Sequence, residues 1–234
     1  MYRRSLVLLA PGAASAQLNK IFDKIFKGAT SGPPGDHKIV DGLKEALRVG
    51  TGNAITLAGR LDGYFANTLI RILMPEKLRA WEKGMRLIGM GKQVDGFVLS
   101  MNRAAEAAAP LARDIFFDAI QQMTFDDARK LLTGSGDTAA TDFFQAKTTG
   151  KLTETFRPAV AKTMAENQVG RNFQNVLNAA RKFPLFKSEA IDMESYVVAK
   201  SLDGLFLLIG NEERKIRKDP AARVSSILKE VFSI

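Results

Sequence analysis

The chain has no cysteine and a single histidine, His37, in 234 residues. Without thiols there is no disulfide framework, no thiolate metal site and no cysteine nucleophile, so stability has to come from packing. Catalytic triads, histidine bases and most zinc sites need histidine, and one histidine next to a glycine- and proline-rich stretch reads as an exposed passenger. No apolar run approaches the roughly 18 residues that a bilayer-spanning helix requires. The best such run, residues 204–210, is far shorter. Alternating β-branched runs that would mark strands are also missing. What remains is a chain with 46% hydrophobic residues, enough for a sizeable core. Its periodicity predicts an all-α protein: a single compact multi-helix domain over residues 36–234, preceded by an amphipathic N-terminal arm.

Acid is missing from the amino terminus, where the first acidic residue is Asp23. Residues 1–16 carry Arg3 and Arg4, a short apolar run from Leu6 to Ala10 broken by Pro11-Gly12, and Ala14-Ser15-Ala16 before Gln17. The small-x-small ending fits a secretory signal, while the interrupted apolar run and the arginines fit a mitochondrial presequence. In residues 17–27, Leu18, Ile21, Phe22, Ile25 and Phe26 recur at helical spacing with Lys20, Lys24 and Lys27 between them. That is a short basic amphipathic helix, suited to a membrane surface or a partner's groove, or to folding back on its own domain. Residues 28–35 are a Gly/Pro-rich linker.

Asp36 is placed to cap a helix carrying Ile39, Leu43, Ala46, Leu47 and Ile55, weakened in the middle by Gly50 and Gly52. Asp62-Gly63 reads as a turn. A helix is expected from Met74 to Ile88, with Leu78, Trp81, Met85 and Ile88 on one face and Gly89 near its end. Next comes Ser100-Met101-Asn102-Arg103-Ala104-Ala105-Glu106-Ala107-Ala108-Ala109-Pro110. Alanine gives helix propensity without bulk, so this segment is expected to be a central helix that neighbours approach closely. Pro110 should kink it or open another helix with Ile115, Phe116, Ala119 and Ile120. Thr124-Phe125-Asp126-Asp127 resembles a capping box, and Asp137 or Thr138 caps the following helix after the Gly134-Ser135-Gly136 turn. Arg157-Pro158 should kink or break that helix. Asp192 caps a long helix through Ile216, and Asp219-Pro220 opens a last one with Val224, Ile227, Leu228 and Val231.

Charge is unevenly spread. Between Phe143 and Lys187, eight basic residues (Lys147, Lys151, Arg157, Lys162, Arg171, Arg181, Lys182, Lys187) face Glu154 and Glu166, and between Arg71 and Lys92 six face Glu76 and Glu82. One-signed fields of this kind favour an anionic partner: Lys147, Lys151, Lys162, Arg171, Arg181, Lys182 and Lys187 are the candidate surface for a membrane or an acidic protein, or else a solvated face. Nucleic acid is not expected, since no recognised binding motif accompanies the charge.

Constellations for chemistry are weak. Gly134-Ser135-Gly136-Asp137 lacks the lysine of a phosphate loop, and Asp114 with Asp118, or Asp126 with Asp127, lack further ligands for a cation. Neither a metal nor a cofactor is called for. Asn102, Arg103 and Glu106 stand out because charged residues on a buried helix need partners, and their spacing lets them satisfy one another. They form either a structural polar network or, with Arg157, the polar end of a ligand site.

The alanine-rich run and its continuation Asp114-Ile115-Phe116-Phe117-Asp118 resemble a family of mostly bacterial, mostly exported helical proteins known only as a domain of unknown function. Similar matches occur at Gly63-Tyr64-Phe65-Ala66-Asn67, Met74-Pro75-Glu76-Lys77-Leu78, Thr138-Ala139-Ala140-Thr141-Asp142-Phe143-Phe144 and Ser201-Leu202-Asp203-Gly204-Leu205-Phe206. The resemblance covers residues 40–232 with a divergent stretch near 167–193. It implies a helical fold and an exported location, and it brings no activity and no site residues. From the residues themselves we expect a non-enzymatic structural or interaction protein, an accessory subunit of a membrane-associated complex in the mitochondrion. The alternative is a periplasmic binding protein for a lipid or another apolar anionic ligand.

Overall fold

A computed structural model describes residues 36–133, 136–166 and 192–218. Among these there are seven α-helices and no strand: α1 (Asp36–Gly59), α2 (Arg79–Leu87), α3 (Gly91–Ala108), α4 (Ala112–Gln121), α5 (Phe125–Thr133), α6 (Ala139–Glu166) and α7 (Met193–Lys218). Short 3-10 turns, Glu76–Leu78 and Ala109–Leu111, precede α2 and α4. The protein is all-α. The segments 1–16, 17–27 and 28–35, with Leu18, Ile21, Phe22, Ile25 and Phe26, lie outside the described residues, as does the helix expected after Asp219. No described helix is long and apolar enough to cross a membrane.

The alanine-rich helix sits at the centre. On α3, Val94, Phe97, Met101, Ala104, Ala105 and Ala108 are buried, and α1, α2, α6 and α7 all pack against it. Its small side chains keep the neighbouring backbones close. α7 lies along α6 and α1, and Phe116 of α4 meets Phe144 of α6 and Phe206 of α7 edge-on at 5.7 and 6.0 Å. Edge-to-face contacts at such separations stabilise beyond the area they bury. α1 passes its glycines without a break, and a Cβ on Gly50 would meet Ile216 and Glu212 of α7 at ordinary distances of 3.6 and 3.7 Å.

Several local expectations are met by local chemistry. Thr124 and Asp127 form the reciprocal box, the Asp127 carboxylate accepting from the Thr124 hydroxyl and N–H and the Thr124 hydroxyl accepting from the Asp127 N–H. Asp192 caps α7 by accepting from the N–H and hydroxyl of Ser195. Pro110 falls in the turn that opens α4.

Others differ. The Met74–Ile88 helix begins later, because residues 71–75 form no helix and lead into the 3-10 turn at Glu76. Its end also departs from the expected face: Gly89 turns the chain at φ 83°, leaving Ile88 71% exposed. α6 continues through Pro158, whose ring lies on the exposed side, so no break occurs there. Thr138 does stand at the start of α6, yet the free N–H groups of that end are taken by a residue of α7, described below.

Two predictions follow from this framework. Gly150 lies inside α6 with nothing within 4 Å of an added Cβ. Gly150→Ala is expected to raise the unfolding free energy by about 0.5–1 kcal/mol, read by urea titration. The hydrogen bonds from Thr124 and from Ser195 hold the Asp127 and Asp192 carboxyls below the usual carboxylate range. A carboxyl depressed in the fold stabilises above its unfolded pKa, and that contribution is lost as pH falls through the folded value. The Asp127→Asn, Asp192→Asn double variant should therefore be less stable than the native protein at neutral pH. The two urea midpoints should converge as pH drops below about 4.

Candidate functional site

The chain between α1 and α2 is irregular, and it is held by side chains rather than by a ladder. α1 stops where Gly59 passes Pro110, whose Cγ would lie 2.9 Å from a Cβ at that position. Asp62 then takes a left-handed conformation (φ 63°), and the Gly63 N–H donates to the Arg60 carbonyl at 2.9 Å. Glycine is required at 63, because a Cβ there would fall 2.4 Å from the carbonyl oxygens of both Leu57 and Ala58.

This turn aims two consecutive amides at α3. Glu106, 5% exposed, accepts from the N–H groups of Tyr64 and Phe65, both at 3.1 Å to one carboxylate oxygen. Its other oxygen accepts from Arg103 at 2.5 Å, and the second guanidinium nitrogen of Arg103 reaches Asp62 at 2.7 Å. Asn102, fully buried, pairs with this chain as a neighbouring strand would: its oxygen accepts from the Ile72 N–H at 2.9 Å and its amide donates to the Ile72 carbonyl at 2.8 Å. Charge-assisted bonds to main-chain N–H are among the stronger kinds, and a buried amide left alone is costly.

α7 holds the other side. The Tyr64 hydroxyl donates to the Ser201 carbonyl at 2.5 Å, and burial, with the charges of Glu106 and Asp203 adding to it, keeps that phenol protonated. Gly204 makes room for the segment, since a Cβ there would lie 2.7 Å from the Tyr64 ring and 3.0 Å from Ile70. The Tyr196 hydroxyl donates to the Leu73 carbonyl at 2.9 Å.

Between the segment and α7 is a cleft of about 400 Å³, lined by residues 69–74, Glu76, Arg79, Tyr196, Lys200 and residues 203, 204 and 207. Ile70, Ile72 and Met74 form a buried floor, while Leu69, Leu73 and Leu207 stand exposed at 69%, 53% and 41%. Glu76 pairs with Arg79 at 3.2 Å and Lys200 with Asp203 at 2.8 Å, and the Arg71 guanidinium lies over the Phe65 ring at 4.3 Å.

The residues singled out by sequence divide. Asn102, Arg103 and Glu106 come together beneath this segment, though Asn102 serves Ile72 and not Glu106. Arg157 is elsewhere and exposed, 3.1 Å from the Ser195 hydroxyl and 3.6 Å from Glu194. Lys147, Lys151 and Lys162 are exposed on α6, with Lys147 near the Phe143 ring, Lys151 3.5 Å from Asp118 and Lys162 3.9 Å from Glu166. Arg171, Arg181, Lys182 and Lys187 lie outside the described residues. Among the described residues no group of three or more metal-ligating side chains is found.

Sequence reasoning missed Glu213. This α7 residue is 7% exposed and accepts from the N–H of Ala140 at 2.9 Å and the N–H and hydroxyl of Thr141 at 2.8 and 2.7 Å. Arg217 pairs with it at 2.8 Å. Its carboxylate thus serves the positive start of α6 from another helix, where the chain's own cap was expected.

A family model described as a protein of unknown function (DUF4197) matches residues 34–233. The chain belongs to that family. No curated protein and no solved structure matches it. The family match spans every element that builds the cleft and the Glu106 and Glu213 networks, and it assigns none of them an activity.

Removing the Glu106 carboxylate would orphan two amides and a guanidinium. Glu106→Ala is expected to cost about 2–3 kcal/mol in urea unfolding, with Glu106→Gln costing less because its amide oxygen still accepts. Equal losses for the two variants would contradict this account.

Proposed function

We propose that the protein is a non-enzymatic interaction protein, an accessory subunit of a membrane-associated assembly, and that the cleft beside α7 receives a segment of a protein partner. The observation that supports this is the combination of a wall locked by main-chain bonds with three exposed leucines around one cleft. Scattered surface leucines need no explanation, but Leu69, Leu73 and Leu207 border a single depression with a buried apolar floor. A preformed wall also lowers the ordering cost of binding.

The charged groups there favour binding over proton transfer. Glu76 and Arg79 neutralise one another, as do Lys200 and Asp203, and the Tyr196 hydroxyl is committed to the Leu73 carbonyl. A partner segment with apolar anchors and an acidic residue near Arg71 suits this lining. The alternative, a lipid with its polar end at Arg103 or Arg157, has less support. Arg103 is engaged by Glu106 and Asp62, and neither arginine lines the cleft. The exposed rim would also leave a lipid covered on one side, whereas a protein segment brings its own cover. The compartment we propose is the mitochondrion, on Arg3, Arg4 and the acid-free amino terminus, with the periplasm as the alternative.

Leu69→Asp, Leu73→Asp and Leu207→Asp alter only exposed side chains. All three should keep native helicity and unfolding midpoint yet release the protein from its assembly on native electrophoresis of mild-detergent extracts. An assembly of undiminished size carrying all three charges would overturn the reading.

A further inference from the structure

Two of the three most exposed large aliphatic side chains among the described residues are adjacent in the chain and lie away from the cleft. Leu87 and Ile88, 88% and 71% exposed, are neighbours at the turn from α2 into α3. The turn is held by its own backbone. Ile88, Gly89 and Met90 donate to the carbonyls of Gly84, Arg86 and Met85 at 3.2, 3.2 and 2.9 Å, and Gly89 supplies the positive φ that such a helix ending uses. On the inner face Met85 is buried and Trp81 packs against the core, so α2 is anchored while Leu87 at its end and Ile88 just after it are exposed to solvent.

The surrounding charge is positive. Lys83, Arg86 and Lys92 are exposed around the turn. Arg86 bridges both nearby carboxylates, Glu82 at 2.9 Å and Asp95 at 2.7 Å; that trio carries one net negative charge, and Lys83 and Lys92 turn the local sum to one net positive charge. Between Arg71 and Lys92, six basic residues face Glu76 and Glu82.

We propose that this turn is a membrane-surface contact: Leu87 and Ile88 enter the interface of an anionic phospholipid leaflet while Lys83 and Lys92 meet its headgroups. Aliphatic side chains flanked by lysines match a leaflet in both parts, since the acyl boundary takes the apolar atoms and anionic lipids attract the cations. A second copy of the chain is a poorer occupant. Two side chains on a convex turn fall far short of the about 1,000 Å² that a stable protein interface buries, and the lysines would repel their own copies. The contact does not depend on the cleft, so the two proposals stand or fall separately.

The test is flotation of the full chain with vesicles of phosphatidylcholine alone or mixed with phosphatidylserine, across a salt series. Native protein should float with the anionic vesicles and lose binding as salt rises. Leu87→Ser with Ile88→Ser should lower the bound fraction about tenfold, and Lys83→Gln with Lys92→Gln should weaken binding several-fold and flatten its salt dependence. Trp81 is the only tryptophan, so unchanged emission in buffer shows that α2 still packs in each variant. Helicity and the unfolding midpoint report on the rest. Binding by folded Leu87/Ile88 variants equal to that of the native chain would overturn the proposal. So would equal affinity for neutral vesicles, no binding at all, or a dimer in sedimentation that those variants dissociate.

Discussion

A single carboxylate, that of Glu106, fixes the chain between α1 and α2 to the central helix. That chain forms no helix of its own over residues 60–75, and where it is buried, as at Tyr64 and Ile72, its polar main-chain groups need partners from elsewhere in the fold. Glu106 takes the amides of Tyr64 and Phe65 and Asn102 takes both polar groups of Ile72. With those ends tied, Tyr64 can lie against Gly204 and reach the Ser201 carbonyl, and Ile70, Ile72 and Met74 face inward. The cleft wall is a consequence of these bonds. Arg103 offsets the charge that Glu106 carries into the interior and extends the network to Asp62.

What was legible in the sequence follows the range of the interaction. The caps at Asp127 and Asp192 were readable because the groups that meet there lie three residues apart, and the helices because their apolar faces repeat every turn. The alanine-rich helix announced itself as buried, and its polar residues as needing partners. Their partners were not legible. Tyr64, Phe65 and Ile72 contribute main-chain groups, which leave no mark on side-chain identity, and they lie some 30–40 residues earlier in the chain. Glu213 was hidden differently, since in Asn211-Glu212-Glu213-Arg214-Lys215 it reads as one more charge on a solvated face. Only the placement of α7 against the start of α6 buries it. Ile88 failed as a core residue because it falls at the helix end itself, just before the positive φ of Gly89, where the side chain faces solvent.

Glu106 and Glu213 are two instances of one device. Each is a nearly buried carboxylate on a long helix, with an arginine three or four residues away and two consecutive amides of a distant segment as its acceptor load. Among the described residues no buried side-chain nitrogen or oxygen lacks a hydrogen-bond partner. A chain without cysteine thus uses charge-assisted bonds to secure parts of the fold that apolar packing alone would leave loose.

Because these carboxylates and Asn102 grip main chain, the bonds are indifferent to which side chain sits at the gripped position. At 65, where the side chain is half-buried, any residue except proline can present the same N–H, so that hydrogen bond survives substitutions that change volume or polarity; at 141 the Thr141 hydroxyl adds a bond of its own to Glu213 and ties that position to its side chain. The gripping side and the gripped side therefore drift under different rules: the carboxylate and the amide are held to one chemistry, while the surface they position is free to vary. A scaffold built this way can alter the face it shows to other molecules without rewriting the contacts that hold that face in place.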